Sequence, residues 1–143
     1  MRTILISGAN RGIGRSIALR ALKDGHRISL GLRNFENIKG SKLDPEISGS
    51  DRIILNNYEA ADPQKAKEWV RKTISHFGTL DSVINCAGIF RGTKFLFTES
   101  EKFELEELWN INLMAPWILT KEAWSYISKH GEGRVICLAS LSG

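Results

Sequence analysis

The sequence predicts an α/β fold: a parallel sheet covered by helices on both faces. Short apolar runs alternate along the chain with longer stretches of helical period, and no repeat or low-complexity tract interrupts them. Several runs, TILI at 3–6 and RVICLA at 134–139, are apolar on both faces, as strands buried on two sides require. A glycine-rich segment follows the first run and opens the first helical stretch.

Arg2 to Ser7 reads as a strand, Gly12 to Asp24 as a helix, and Arg27 to Leu32 as a second strand bounded by Gly25 and Asn34. From Asn34 to Asp51 no period is clean, and Pro45 and Gly40, Gly49 punctuate a loop with room for one short helix. Arg52 to Asn56 is a third strand. Asp62 is placed to N-cap a helix that starts at Pro63 and stops at Phe77 before Gly78. Leu80 to Asn85 is a fourth strand, Glu101 to Lys129 one long helix, and Arg134 to Ala139 a fifth strand.

With 143 residues, 42% apolar and 25% charged, the chain suits one globular domain over residues 1–143. Net charge is +4, without the lysine/arginine block that nucleic-acid binding requires, so no nucleic-acid partner is expected. No apolar run approaches the roughly 18 residues of a membrane helix, and the opening MRTILIS is too short for a secretory leader. Cys86 and Cys137 stand in apolar contexts without metal-ligand spacing, so free buried thiols and a cytoplasmic address are expected, with no metal. His26, His76 and His130 fall at turns or helix ends as solvated or capping groups.

Ser7-Gly8-Ala9-Asn10-Arg11-Gly12-Ile13-Gly14 joins the first strand to the first helix. Glycine at such a junction permits a sharp turn, admits a pyrophosphate against backbone amides, and brings helix and strand close. The helix N-terminus then offers unpaired N–H groups and its positive dipole end to an anion. About 20 residues on, the second strand ends in Leu32 and Arg33, with no acidic side chain for ribose hydroxyls. Arg11 and Arg33 together suit a 2′-phosphate, although two solvated arginines would read the same way. Asn112 shares a helical face with Leu108, Ala115 and Leu119, where a buried amide needs a partner. Pro116, four residues on, has no N–H for the Asn112 carbonyl.

The spacing of Gly8, Gly12 and Gly14 resembles the TGxxxGxG motif of the short-chain dehydrogenase/reductase family, with Ser7 in the threonine position. Asn85-Cys86-Ala87-Gly88 resembles the family's NNAG, and Asn112 and the Ser140 segment match its catalytic asparagine and serine. The resemblance implies a doubly wound Rossmann sheet with strand order 3-2-1-4-5. It implies an oxidoreductase transferring hydride between a nicotinamide cofactor and a carbonyl or secondary alcohol of a small molecule, with NADP(H) favoured over NAD(H) by the two arginines. Ser7, Gly8, Asn10, Arg11, Gly12, Ile13, Gly14, Arg33, Asn85, Ala87 and Gly88 are then the expected cofactor residues. Glu59 stands where the family has an adenine-binding aspartate, and a solvated loop glutamate fits that position equally. Ser140, with Ser142 as second choice, is expected to polarise the substrate oxygen, and the Asn112 main chain to hold a relay water; a kinked helix with a satisfied amide is the alternative for Asn112.

The family's Tyr-x-x-x-Lys pair has no counterpart, since Tyr58 and Tyr126 are followed four residues on by Asp62 and His130. The expectation is therefore an amino-terminal part of a longer enzyme, inactive alone, with a last strand covered by further chain or by a partner. A non-catalytic dinucleotide-binding module is the alternative. Leu105, Leu108, Trp109 and Leu113 exceed one core stripe, although all four could still be core. The resemblance, in whose family this helix contributes to a subunit interface, implies a homo-oligomer, dimer or tetramer.

Overall fold

The computed structural model describes residues 1–92, 99–129 and 131–140. Strands β1 (Thr3–Ser7), β2 (Arg27–Leu32), β3 (Ile53–Asn57), β4 (Ser82–Asn85) and β5 (Arg134–Cys137) form one parallel sheet in the order β3-β2-β1-β4-β5. In register, Ile6 faces Leu30 on one side and Ile84 on the other, and Asn85 faces Cys137. The helices are α1 (Gly12–Lys23), α2 (Pro45–Ser48), α3 (Pro63–Phe77), α4 (Glu99–Trp109) and α5 (Ala115–Ile127). This is the Rossmann arrangement the sequence predicts.

The period-two alternation of the strands divides the core between two faces. On one face Ile4, Ile6, Ile28, Leu30, Ile53 and Ile84 pack against Ala18 and Ala21 of α1, with Ile38 and Leu43 closing over them from the loop before α2. On the other, Leu5 and Val83 meet Ala66, Trp69 and Val70 of α3 and Leu119, Ala123 and Ile127 of α5. Burial of each large apolar side chain contributes about 1.5–3 kcal/mol, so these two layers dominate the fold's stability.

The second face also holds polar groups. Ser29 Oγ accepts from Trp69 Nε1 at 2.8 Å and from Asn56 Nδ2 at 3.1 Å, and lies 2.7 Å from Thr73 Oγ1. Thr73 Oγ1 in turn donates to the Trp69 carbonyl at 2.9 Å, so no member of this buried group lacks a partner. The network fixes the Trp69 ring directly beneath Gly31, where any side chain would strike it.

Local chemistry sets the helix ends. Asp44 and Asp62 cap α2 and α3 through the amides of Glu46 and Gln64, each followed by proline. Gly40 N–H also donates to Asp44 at 2.7 Å, and these amides hold its carboxyl below the usual range. Gly78 ends α3 at φ 75°.

Three expectations are corrected. The long helix is not continuous: a π-helical turn, Asn110–Met114, separates α4 from α5, and the Ala115 amide donates to the carbonyl of Asn110. Pro116 cannot donate, and the wider turn absorbs that gap. The extra residue rotates Asn112 away from the buried line of Ala115 and Leu119, so it is exposed rather than facing the core. Cys86 is half-buried and Cys137 exposed, because Cys137 lies on β5, whose four residues are all exposed.

Candidate functional site

A cleft of about 530 Å³ opens along the carboxyl ends of the strands. Its walls are the residues that follow those strands: Gly8 to Gly14 after β1, Arg33 after β2, Tyr58 to Ala60 after β3, Cys86 to Ile89 after β4, and Leu138 after β5. The chain leaves β1 toward β2 on one side of this cleft and β4 lies on the other, the place where open α/β sheets bind ligands.

Helix α1 aims its N-terminus at the cleft and, unlike α2 and α3, carries no capping side chain. Its N-cap is Arg11, with no side-chain cap bond and no acidic residue in the first turn. The open amides and the dipole favour an anion there. Gly8 (φ 70°) makes the turn from β1 and lies so close to the β4 loop that a Cβ would stand 2.7 Å from the Ala87 nitrogen. A Cβ on Gly14 would strike the Gly8 carbonyl. These close approaches explain the absence of side chains at both positions.

Of the expected cofactor residues, Gly8, Asn10, Arg11, Gly12, Ile13, Gly14, Arg33, Glu59, Ala87 and Gly88 line the cleft. Ser7 and Asn85 stand behind it. Ser7 Oγ accepts from the Cys86 and Ala87 amides, both at 3.1 Å, fastening the β4 loop to the end of β1. Asn85 Nδ2 donates to Thr120 Oγ1 at 3.3 Å and reaches Cys137 Sγ at 3.5 Å. Both side chains are buried and shape the wall rather than forming it. Arg11 and Arg33 are exposed on the lip, and among the described residues neither guanidinium has a hydrogen bond or ion pair. Arg15, by contrast, is held by the Asn37 carbonyl at 3.0 Å.

The Asn112 amide clamps the β4 loop. Its Oδ1 accepts from the Ile89 amide at 2.9 Å and its Nδ2 donates to the Ile89 carbonyl at 2.8 Å. Arg91, two residues on, donates through Nε and Nη2 to Glu107 at 3.0 and 2.7 Å. The wall beyond Gly88 is thereby fixed to α4 and the π-helical turn. Ser140 is exposed beyond β5 and is not among the cleft-lining residues; Ser142 and His130 lie outside the described residues.

His26 Nδ1 accepts from the Arg2 amide at 3.2 Å, and His76 Nε2 lies 2.6 Å from the Ser50 carbonyl. Neither lines the cleft. Among the described residues no cluster of metal ligands occurs, and no helix is long and apolar enough to cross a membrane.

Gly31, Tyr58, Ala60, Ile89, Ile111 and Leu138 also line the cleft, though no motif in the sequence singles them out. Tyr58 was findable, because it directly precedes Glu59 at the end of a strand. Ile111 was not, since only the π-helical turn presents it.

Residues 2–143 match the short chain dehydrogenase family, to which the chain belongs. It is 33% identical over 140 residues to an agropine synthesis reductase of Rhizobium rhizogenes, a match covering 98% of this chain and 31% of that protein. It is 29% identical over 149 residues to a 3-oxoacyl-(acyl-carrier-protein) reductase of Staphylococcus aureus, covering 99% and 57%. A solved short-chain dehydrogenase/reductase from Brucella melitensis superposes with a TM-score of 0.86 at 25% identity, over 99% of this chain and 57% of that one. A short chain dehydrogenase from Burkholderia cenocepacia, solved in complex with NADP, gives 0.84 at 26% identity, over 98% and 56%. The chain thus spans 31% to 57% of the length of these relatives.

Proposed function

We propose that the chain is the cofactor-binding part of an oxidoreductase that moves hydride between NADP(H) and a carbonyl or secondary alcohol of a small molecule. The observation that carries this reading is the cleft itself, with an uncapped helix N-terminus at its centre and, on its lip, two guanidiniums unpaired among the described residues. The loop Gly8 to Gly14 would hold the pyrophosphate, Arg11 and Arg33 the 2′-phosphate, Glu59 the adenine amino group, and Ala87 and Gly88 the wall beside the ribose. When bound, the nicotinamide supplies the redox chemistry, and the protein supplies position and electrostatics. Ser140 would polarise the substrate oxygen, and the Asn112 main chain would hold a relay water. The NADP bound to the Burkholderia relative is consistent with the cofactor choice.

Titrating the chain with NADPH and NADH tests this reading. NADPH is expected to bind about tenfold or more tightly, since charge-assisted bonds to a phosphate are worth about 1.5–3 kcal/mol each before screening. Equal affinity, or tighter NADH binding, sinks the assignment. In the same cuvette, an aldehyde and ketone panel should leave NADPH absorbance unchanged for a polypeptide of these 143 residues. Neither tyrosine is followed at four residues by lysine, and loss of a positioned proton donor costs on the order of 10²–10⁴-fold. Turnover would show that the family mechanism has been wrongly carried over.

The protein is also proposed to act as a homo-oligomer. Trp109, Leu113, Trp117 and Trp124 succeed one another along α4, the π-helical turn and α5, and all four are exposed. Large apolar side chains exposed at successive turns would suit an interaction surface. Sedimentation at high micromolar concentration should give a dimer or tetramer, and a monomer removes the reading.

A further inference from the structure

We propose that Tyr58 is a ligand-binding residue whose hydroxyl donates a hydrogen bond to an acceptor atom on the purine or ribose of a bound adenine nucleotide. This deepens the cofactor reading above and rests on it. Tyr58 directly follows β3, and its amide donates to the Leu32 carbonyl at 3.0 Å, which fixes its backbone against the end of β2. Its ring packs on Trp69 with centroids 4.8 Å apart, and Trp69 is itself locked by Ser29. The side chain therefore has little freedom to turn elsewhere.

At 4% exposure Tyr58 is a core residue, yet it lines the cleft beside Gly31, Arg33 and Glu59. Its hydroxyl has no hydrogen-bond partner among the described residues. Nor is it sealed away, since among the described residues the buried side-chain atoms without a partner are the Nε of Arg27 and Arg52. An unpaired, reachable hydroxyl on a residue that lines the cleft calls for water or a ligand as its partner, and the cleft is the place that offers one. Burial, with the neighbouring charge of Glu59, pushes the phenol up to about 12, so it stays protonated and remains a donor at neutral pH. Adenine ring nitrogens and ribose oxygens are acceptors that this donor fits. The two arginines lie on the lip and serve the phosphate instead.

The test is Tyr58→Phe in the full chain, with 5′-AMP and 2′,5′-ADP binding measured by titration calorimetry and thermal unfolding followed without ligand. Phenylalanine keeps the ring on Trp69 and removes only the oxygen. Both dissociation constants should rise roughly three- to tenfold, the size expected of one neutral hydrogen bond, while the ligand-free midpoint stays put. Unchanged affinities overturn the proposal. So does a loss confined to 2′,5′-ADP, which would assign the hydroxyl to the phosphate, and so does a lowered ligand-free midpoint, which would assign it to the fold. If the unmodified chain binds neither nucleotide, the cofactor reading falls and this proposal falls with it; binding by the unmodified chain with no effect of the substitution overturns this proposal alone.

Discussion

Arg33→Ala is expected to weaken NADPH binding roughly ten- to a hundredfold at low ionic strength, while leaving NADH within about twofold. The asymmetry follows from where the guanidinium sits. Arg33 is the first residue past β2, exposed on the lip of the cleft, and among the described residues nothing neutralises it. Removing it therefore breaks no hydrogen bond or ion pair among the described residues, and stability should hold within about 0.5 kcal/mol, as for most surface substitutions. The dianionic 2′-phosphate is the feature that separates the two cofactors, so only NADPH should register the loss. Because the site is exposed, the effect should shrink with added salt, and Arg33→Lys should recover only part of it, since an ammonium offers no planar fork. Equal losses for both cofactors would place Arg33 on the shared part of the dinucleotide. No loss for either would leave it a solvated surface arginine.

The parts of the fold that obey local rules were legible in the sequence. Asp62-Pro63 at one end of α3 and Gly78 at the other fixed its limits, because capping and termination depend on neighbours only a few residues away. The two-faced strands were legible for the same reason, and with the glycine loop they located the cleft. What escaped depended on nonlocal geometry. The π-helical turn at Asn110–Met114 shifts the helical register by one residue, so a period of 3.6 carried through Pro116 places Asn112 on the wrong face. Its amide is satisfied after all, by the Ile89 backbone, a partner 23 residues away that no helical spacing announces. Ser7 and Asn85 show the same nonlocal dependence. Their motif position gives no hint that their side chains hold the β4 loop and the sheet in place behind the cleft wall.

Gly8→Ala should cost about 2–5 kcal/mol of unfolding free energy and abolish measurable dinucleotide binding, the sum of two independent penalties. At φ 70° an L side chain is strained by about 1–2 kcal/mol wherever it points. The new methyl would also stand 2.7 Å from the Ala87 nitrogen and 2.8 Å from the Cys86 carbonyl carbon. Those are backbone atoms, and Ser7 Oγ holds both amides at 3.1 Å, so the β4 loop cannot retreat without breaking these bonds. Overpacking of that kind costs about 1–3 kcal/mol, and any relief must push apart the two walls between which the ligand would lie. Gly12→Ala separates the two penalties. Gly12 also has positive φ, 54°, but nothing lies within 4 Å of its would-be Cβ. It should lose only the conformational share, about 1–2 kcal/mol. Urea unfolding of both variants measures the difference directly. If Gly8→Ala proves no more costly than Gly12→Ala, the contact between the β1 and β4 loops yields to a methyl group, and the glycine at position 8 is required by its backbone angle alone.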